Sequence, residues 1–371
     1  MIFTIIYIVF LLFLSVFSWS FVGNNFPFFE KNYLFDFVHR IRWLPGTLYC
    51  AVIVIFFLFY FIFLYKAKRR KFQSKYIWKM IFLTVVMLIF SFPAFSYDIF
   101  NYIATAKVTF LYRENPYVVM PIEIPNEPLL SFMNAANKTA LYGPSWLLLT
   151  YIPLKLGLNN LLLTIYTFKG FMIFFYLALC FVIWKLSHKS VTALVFFALN
   201  PLVIIETLVS SHNDVVMMFF VLTSLYFFKR KQIGFSMVFY IFSIFIKFAT
   251  VFLFPVYLYI LYTEFYRKKV VTWEKIWFWS SVLMFMIFFL SPIREEIYSW
   301  YLIWPLSFVV LIQRQQLLRA ITLGLSFGLL FRFAPFLFTL SWGGKTPLIK
   351  EIVTFIPPIL FGIYYGVRKK I

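Results

Sequence analysis

The stretch "FPAFSYDIFNYIATAKVTFLYRENPY", residues 92–117, ends one apolar run and sets a carboxylate, Asp98, where that run meets water. The residues after Asp98 are neither cleanly apolar nor cleanly soluble, so their meaning depends on the flanking chain. Of the whole sequence 63% is hydrophobic and 24% aromatic, while only 13% is charged; soluble domains carry roughly 25% charge. The run before Asp98 is one of many, and together they define an all-α polytopic membrane protein.

On either side of this stretch, apolar runs at 2–22, 44–65, 77–97, 161–184, 191–209, 214–228, 273–291, 317–340 and 348–367 are long enough, or nearly so, to cross a hydrocarbon core. Shorter ones lie at 234–247, 248–262 and 302–313. The first run lacks a basic flank and is read as a retained helix rather than a cleaved signal. Despite the net charge of +21, Lys and Arg gather in short clusters between the runs: "KAKRRKFQSKYIWK" (66–79), "KRK" (229–231), "RKK" (267–269) and "RKK" (368–370). That pattern sets membrane orientation and argues against a nucleic-acid partner. All four clusters fall in the cytoplasm if "YGPSWLLLTYIPLKLG" (142–157) does not cross. Read as a juxtamembrane or re-entrant helix, it leaves about twelve transmembrane helices with both termini inside. The chain is then a single integral membrane domain over residues 1–371 with a large exoplasmic loop at 98–145. Cys50 and Cys180 lie inside apolar runs and suggest no disulfide framework.

Long loops are where membrane enzymes place their chemistry, and Asp98 opens this one. Within it Asn115 precedes Pro116 in "RENPY" (113–117), which predicts a turn. A second polar cluster, "SSHND" (210–214), sits where two apolar runs meet in "ALNPLVIIETLVSSHNDVVMMFF" (198–220), and the same topology puts it outside. Each cluster also has a purely structural reading. Asp98 serves as a helix N-cap, and His212, Asn213 and Asp214 serve as turn and cap. A third feature is cationic: Lys169, Lys247 and Arg332 fall in the exoplasmic half of the membrane or at its edge, where charge is costly and usually marks a pathway or a ligand. Three cations at one level suggest a lipid phosphate; the structural alternative is snorkelling to the interface.

In order, "PAFSYDIFNYIATAKVTFLYRENPY", "YGPSW" and "NPLVIIETLVSSHNDVVM", with Lys247 downstream, resemble the GT-C glycosyltransferases. The chain looks most like the polyprenyl-phosphate-mannose-dependent α-mannosyltransferases of bacterial envelope synthesis. The resemblance covers roughly residues 90–260 and rests on the order and spacing of a serine-x-aspartate, an asparagine-proline-tyrosine, a tyrosine-glycine-proline and a histidine-asparagine-aspartate element. It implies a GT-C-like helix bundle with juxtamembrane helices in the large loop. It implies Asp98 as catalytic base, and Asn101, Tyr102, Asn115, Tyr117, Tyr142, His212, Asn213 and Asp214 as substrate-binding residues. Lys169, Lys247 and Arg332 would face the donor phosphate. The implied reaction moves a sugar, mannose, from a polyprenyl-phosphate donor to a glycan or glycolipid acceptor, with inversion, at the exoplasmic face of the plasma membrane. No spacing demands a metal, although Asp98, Asp214, Glu295 and Glu296 offer carboxylates to a divalent cation. The rival readings are a transporter or flippase of an anionic lipid-linked substrate, expected to show repeated halves, and a noncatalytic subunit. Neither has a use for an acidic residue at the start of the large loop.

Overall fold

In the computed structural model residues 2–23, 26, 30–133, 135–293, 296–312 and 314–368 are described, and every regular element among them is a helix. Seven helical segments among the described residues are long and apolar enough to cross a membrane: Ile2–Trp19, Leu44–Lys68, Leu161–Leu186, Phe248–Tyr266, Trp273–Ile293, Gln316–Thr339 and Thr346–Gly366. Counting Val191–Ala198 with Pro201–Val209 as one broken span makes eight. The runs at 77–97, 214–228, 234–247 and 302–313 form the shorter helices Ser74–Leu88, Asp214–Lys229, Ile233–Ile244 and Ile303–Val309. Pro93 lies just beyond the end of the first of these, where it cannot continue a helix.

The chain divides into two units, one of Met1–Phe35, Phe82–Val182 and Ile205–Phe248, the other of Asp36–Ile81, Ile183–Ile204 and Ala249–Ile371. In the first, Ile2–Trp19 is apolar on all sides. It buries Tyr7, Phe10, Leu11, Leu14 and Phe17 at helical spacing and leaves Ile5, Val9, Leu12 and Val16 exposed, as a helix facing lipid does. Its polar groups clamp the segment that leads to Asp98. Tyr7 hydrogen-bonds Thr84 at 3.0 Å, the Phe92 N–H donates to Ser18 Oγ at 2.8 Å, and Trp19 Nε1 donates to the Phe90 carbonyl at 2.8 Å.

Three further parts of this unit place the site. Helix Asp98–Phe110 buries nearly its whole length, with Asn101, Tyr102 and Thr105 among the Ile and Ala side chains. Helix Pro144–Leu156 starts on a proline, whose missing N–H costs nothing at the first helical position. At thirteen residues it is about 20 Å long, too short to cross the hydrocarbon. Asp214–Lys229 and Ile233–Ile244 pair as an antiparallel hairpin, registered by Ser243 Oγ donating to the Met217 carbonyl (2.9 Å) and Ser224 Oγ to the Ser236 carbonyl (2.7 Å).

In the second unit, Leu44–Lys68 is fixed by Tyr49 and Tyr60, whose hydroxyls donate to the carbonyls of Leu330 (2.6 Å) and Phe196 (3.1 Å). Helix Gln316–Phe331 lies against Thr346–Arg368 so closely that a Cβ on Gly328 would stand 2.5 Å from the Thr354 carbonyl oxygen and 2.6 Å from that of Val353. Those two carbonyls lack helical partners because Pro357 and Pro358 have no N–H. The bare Cα of glycine lets the neighbouring backbone approach them, as small-residue contacts do between membrane helices.

Candidate active site

Asp98 is the first residue of its helix and Tyr97 occupies the cap position, so the carboxylate is not the cap that the structural reading made it. Its charge still lies beside the positive end of the helix dipole. The side chain is 26% exposed, and its Oδ2 stands 3.4 Å from Nδ1 of His212, which is wholly buried. The other ring nitrogen, Nε2, is 3.3 Å from Oε2 of Glu206. One imidazole therefore bridges two carboxylates, only one of which opens toward solvent.

Burial by itself would lower the pKa of His212. The hydrogen bonds and charges of Asp98 and Glu206 outweigh it and raise the value to about 9. The ring is thus an imidazolium at neutral pH, charge-paired with a carboxylate on each side. For Asp98, burial alone would raise the pKa. Hydrogen bonding and charge from His212, the charge of Lys247 and the amide of Asn101 overcome it and hold the carboxyl below its ordinary range.

Glu206 and His212 are six positions apart and would not share a face of an α-helix. The backbone brings them together by two departures from it. Ile205–Val209 is a π-helical turn, with the Ser210 N–H donating to the Ile205 carbonyl at 2.8 Å. Ser211 then takes a left-handed conformation at φ 62°, and the His212 N–H returns to the Glu206 carbonyl at 2.9 Å. A left-handed serine costs about 1–3 kcal/mol, and π-turns cluster at functional positions.

Lys247 follows the hairpin register to the start of the opposite helix. There it grips Asp214, whose side chain is fully buried, at 2.8 and 3.0 Å. The break that frees Lys247 is held from outside the hairpin. Gly143 N–H donates to the Ile246 carbonyl (3.2 Å) and Ser145 N–H to that of Phe245 (3.0 Å). A Cβ on Gly143 would stand 2.2 Å from the Phe245 carbonyl oxygen, so the "YGP" glycine is there for a close backbone approach.

Tyr102 joins these segments, its hydroxyl accepting from the Asn213 N–H at 3.3 Å and its ring set edge-on to Tyr142 (4.9 Å) and Trp146 (5.0 Å). Burial first, then the Asp98 and Asp214 charges, push the Tyr102 hydroxyl well above its usual pKa and keep it protonated. Around this core, Asn101 Oδ1, both amide atoms of Asn213, and the hydroxyls of Thr207, Ser210 and Ser211 are buried with no hydrogen-bond partner among the described residues. Protein interiors leave few such groups, and sugar hydroxyls are the kind of partner they fit.

The other expected site residues have protein partners of their own. Asn115 forms the expected turn, its Oδ1 accepting from the Tyr117 N–H at 3.0 Å, and the Tyr117 hydroxyl donates to the Tyr142 carbonyl at 3.0 Å. Both tie the loop to the head of helix Pro144–Leu156. Lys169 is buried and donates to Ser91 Oγ (3.0 Å) and to the carbonyls of Leu208 (2.8 Å) and Val209 (3.4 Å), which belong to the π-turn. Arg332 belongs to the second unit, where it binds Glu296 at 3.1 Å and Thr354 Oγ1 at 3.0 Å. Lys350 reaches the same Glu296 oxygen at 2.6 Å.

Among the described residues no three His, Cys, Asp or Glu side chains are grouped to hold a metal ion. Glu295 lies outside the described residues. Asp98, Asp214 and Glu296 are each paired with a protein cation, so they do not fit a divalent ion as an open set of oxygens.

Sequence reading missed Glu206. The signal was available: an acid inside an apolar run is a site by the same rule that singled out the three cations. Its partner was not legible, because the spacing becomes meaningful only once the π-turn is known.

A multi-pass helical membrane protein that exposes one carboxylate against a buried imidazolium, among polar groups lacking partners, has the makings of an enzyme for a polar substrate. Residues 6–263 match the family described as alpha-(1->6)-mannopyranosyltransferase, N-terminal domain, and the chain belongs to that family, a mannosyltransferase family of GT-C type. No curated protein and no solved structure matches it. The match agrees with the resemblance carried by the "SYD", "NPY", "YGP" and "HND" elements and does not favour a flippase.

Proposed function

We propose that the chain transfers mannose from a polyprenyl-phosphate donor to a glycan or glycolipid acceptor at the exoplasmic face of the plasma membrane, with inversion at the anomeric carbon. One arrangement carries the reading: Asp98, open on one side and held on the other by His212 and, through it, Glu206. The acceptor hydroxyl attacks the anomeric carbon opposite the phosphate as Asp98 takes its proton. The carbon–oxygen bond to phosphate breaks with its electron pair left on phosphate, releasing a lipid monophosphate. An inverting transfer that forms an α-linkage takes a β-linked donor.

A carboxylate with a depressed pKa is a weak base. It suffices where the sugar reaches an oxocarbenium-like state and the hydroxyl proton becomes acidic late, provided the base is well placed. His212 supplies the placement by fixing one oxygen of Asp98 and leaving the other for the acceptor. Asn101 and Asn213 bind sugar hydroxyls, with Tyr102 and Tyr142 as the wall behind them. Lys247, 16% exposed beside buried Asp214, meets the charge that grows on the leaving phosphate. Lys169 acts through the carbonyls of the π-turn, and Arg332 is not required by this step.

The deciding experiment incubates the purified chain in detergent with a glycan acceptor and polyprenyl-phosphate donors of mannose, glucose or galactose, and follows lipid monophosphate release. Release from the mannose donor, absent in Asp98→Asn, is the expected result. Equal release from all three donors would refute the choice of sugar, and undiminished release by the variant the choice of base.

A further inference from the structure

The second unit contains a cavity of about 800 Å³ lined by none of the residues assigned to the transfer reaction. Its walls come from the end of Leu44–Lys68 that carries the basic cluster, the first turns of Gln316–Phe331 and the last turns of Thr346–Arg368. One side is apolar, with Leu64, Leu323, Leu360 and Phe361. The other brings Arg319, Lys68 and Gln316 to the same space.

Arg319 is the informative residue. Its side chain is more than nine-tenths buried, and its guanidinium lies 4.5 Å over the Phe196 ring, itself part of the wall. Nη1 makes one long bond, 3.4 Å, to the Ile312 carbonyl. Nη2 is buried with no hydrogen-bond partner among the described residues. A guanidinium taken out of water is normally paired with an anion, and no carboxylate lines this cavity. A buried arginine with an unused donor, a lysine at the rim and an apolar wall beside them match one chemistry, an anionic head joined to a hydrocarbon tail.

We propose that this cavity binds a phosphate-headed amphiphile, with the phosphate on Arg319 and Lys68 and the chain along Leu64, Leu323 and Phe361. The proposal is independent of the transfer site, because every residue it uses belongs to the second unit. Phosphate forks onto the Arg319 donors and lysine adds a point charge, so a zwitterionic head of the same size gains less.

The test is lipid retention by the purified full-length chain, read by native mass spectrometry during titration with phosphatidylglycerol or phosphatidylcholine. Phosphatidylglycerol is expected to bind more tightly. Arg319→Gln should weaken it about ten- to a hundredfold, the range for losing a charged hydrogen bond. Lys68→Gln, at the rim, should weaken it less. Ala320→Phe fills the cavity without changing charge and should abolish binding, with thermal unfolding of each variant as the check on folding. A short polyprenyl monophosphate distinguishes the sources: if it displaces phosphatidylglycerol at equal concentration the site prefers an isoprenoid phosphate, and if not, a bilayer phospholipid. Equal retention of both phospholipids, or full retention by a folded Ala320→Phe protein, would overturn the proposal.

Discussion

At Asp98 the carboxylate and its amide analogue separate chemistry from architecture. Asp98→Asn keeps size and most hydrogen bonding at the helix start but gives up the charge facing His212, so loss of the base should lower turnover about 10²–10⁴-fold in a chain that still folds, with only a modest drop in thermal stability in detergent. A structural aspartate would give the opposite pattern. His212 adds a pH dependence whose sign is fixed by its environment. Its pKa is raised from 6.5 to about 9, so the stability contributed by the imidazolium is complete below 6.5 and is lost as pH rises through about 9. Asp98 is shifted downward from 3.8, and its contribution, present above 3.8, is lost as pH falls through its lowered value. Glu206→Gln removes one of the two anions facing His212, so the alkaline limb of turnover should move to lower pH; superimposable pH–rate profiles would exclude Glu206 from this role. Asp98 itself was legible in the sequence because a lone carboxylate at a hydrocarbon boundary needs a reason. The His212–Glu206 pairing was not, because it depends on a left-handed serine.

Among the elements, the clasp between Gly143 and the break after Ile233–Ile244 is the most exposed to a single methyl group. In Gly143→Ala the new Cβ meets the Phe245 carbonyl, a backbone atom that cannot swing aside as a side chain does. Overpacking of this kind costs about 1–3 kcal/mol. It should also displace Lys247 from Asp214, so Gly143→Ala should raise the KM for the lipid donor as Lys247→Met does, with the acceptor KM little changed. A donor titration beside a thermal melt checks both parts, and an unaltered donor KM in Lys247→Met would return that lysine to a purely structural pairing. Helix Pro144–Leu156 was legible as a segment that does not cross, because a crossing there would have put "KRK" (229–231) outside. The π-turn at Ile205–Val209 was not, since "IETLV", although its acid marks a site, holds no residue that announces a wider helical turn.

Across the molecule, the basic clusters predict that loop 98–145 and the "KAKRRK" segment lie on opposite sides of the membrane. Lys138→Cys should therefore react with an impermeant thiol reagent on intact cells and Gln73→Cys should not, in a background where Cys50 and Cys180 are replaced by serine; reversed labelling would invert the proposed topology. The apolar runs alone make the chain a helical, multi-pass membrane protein, because hydrocarbon tolerates no unpaired backbone and helices satisfy that demand within each run. The polar residues that interrupt those runs point to the family, because the order and spacing of the "SYD", "NPY", "YGP" and "HND" elements carry the resemblance. How those residues combine emerged from the packing of the folded chain. Of the three cations, Lys169 holds π-turn carbonyls, Lys247 is paired with Asp214, and Arg332, in the other unit, binds Glu296. A charge inside the membrane must find a partner, and which partner it finds depends on helix register and backbone irregularity, neither of which is written in any short stretch of residues.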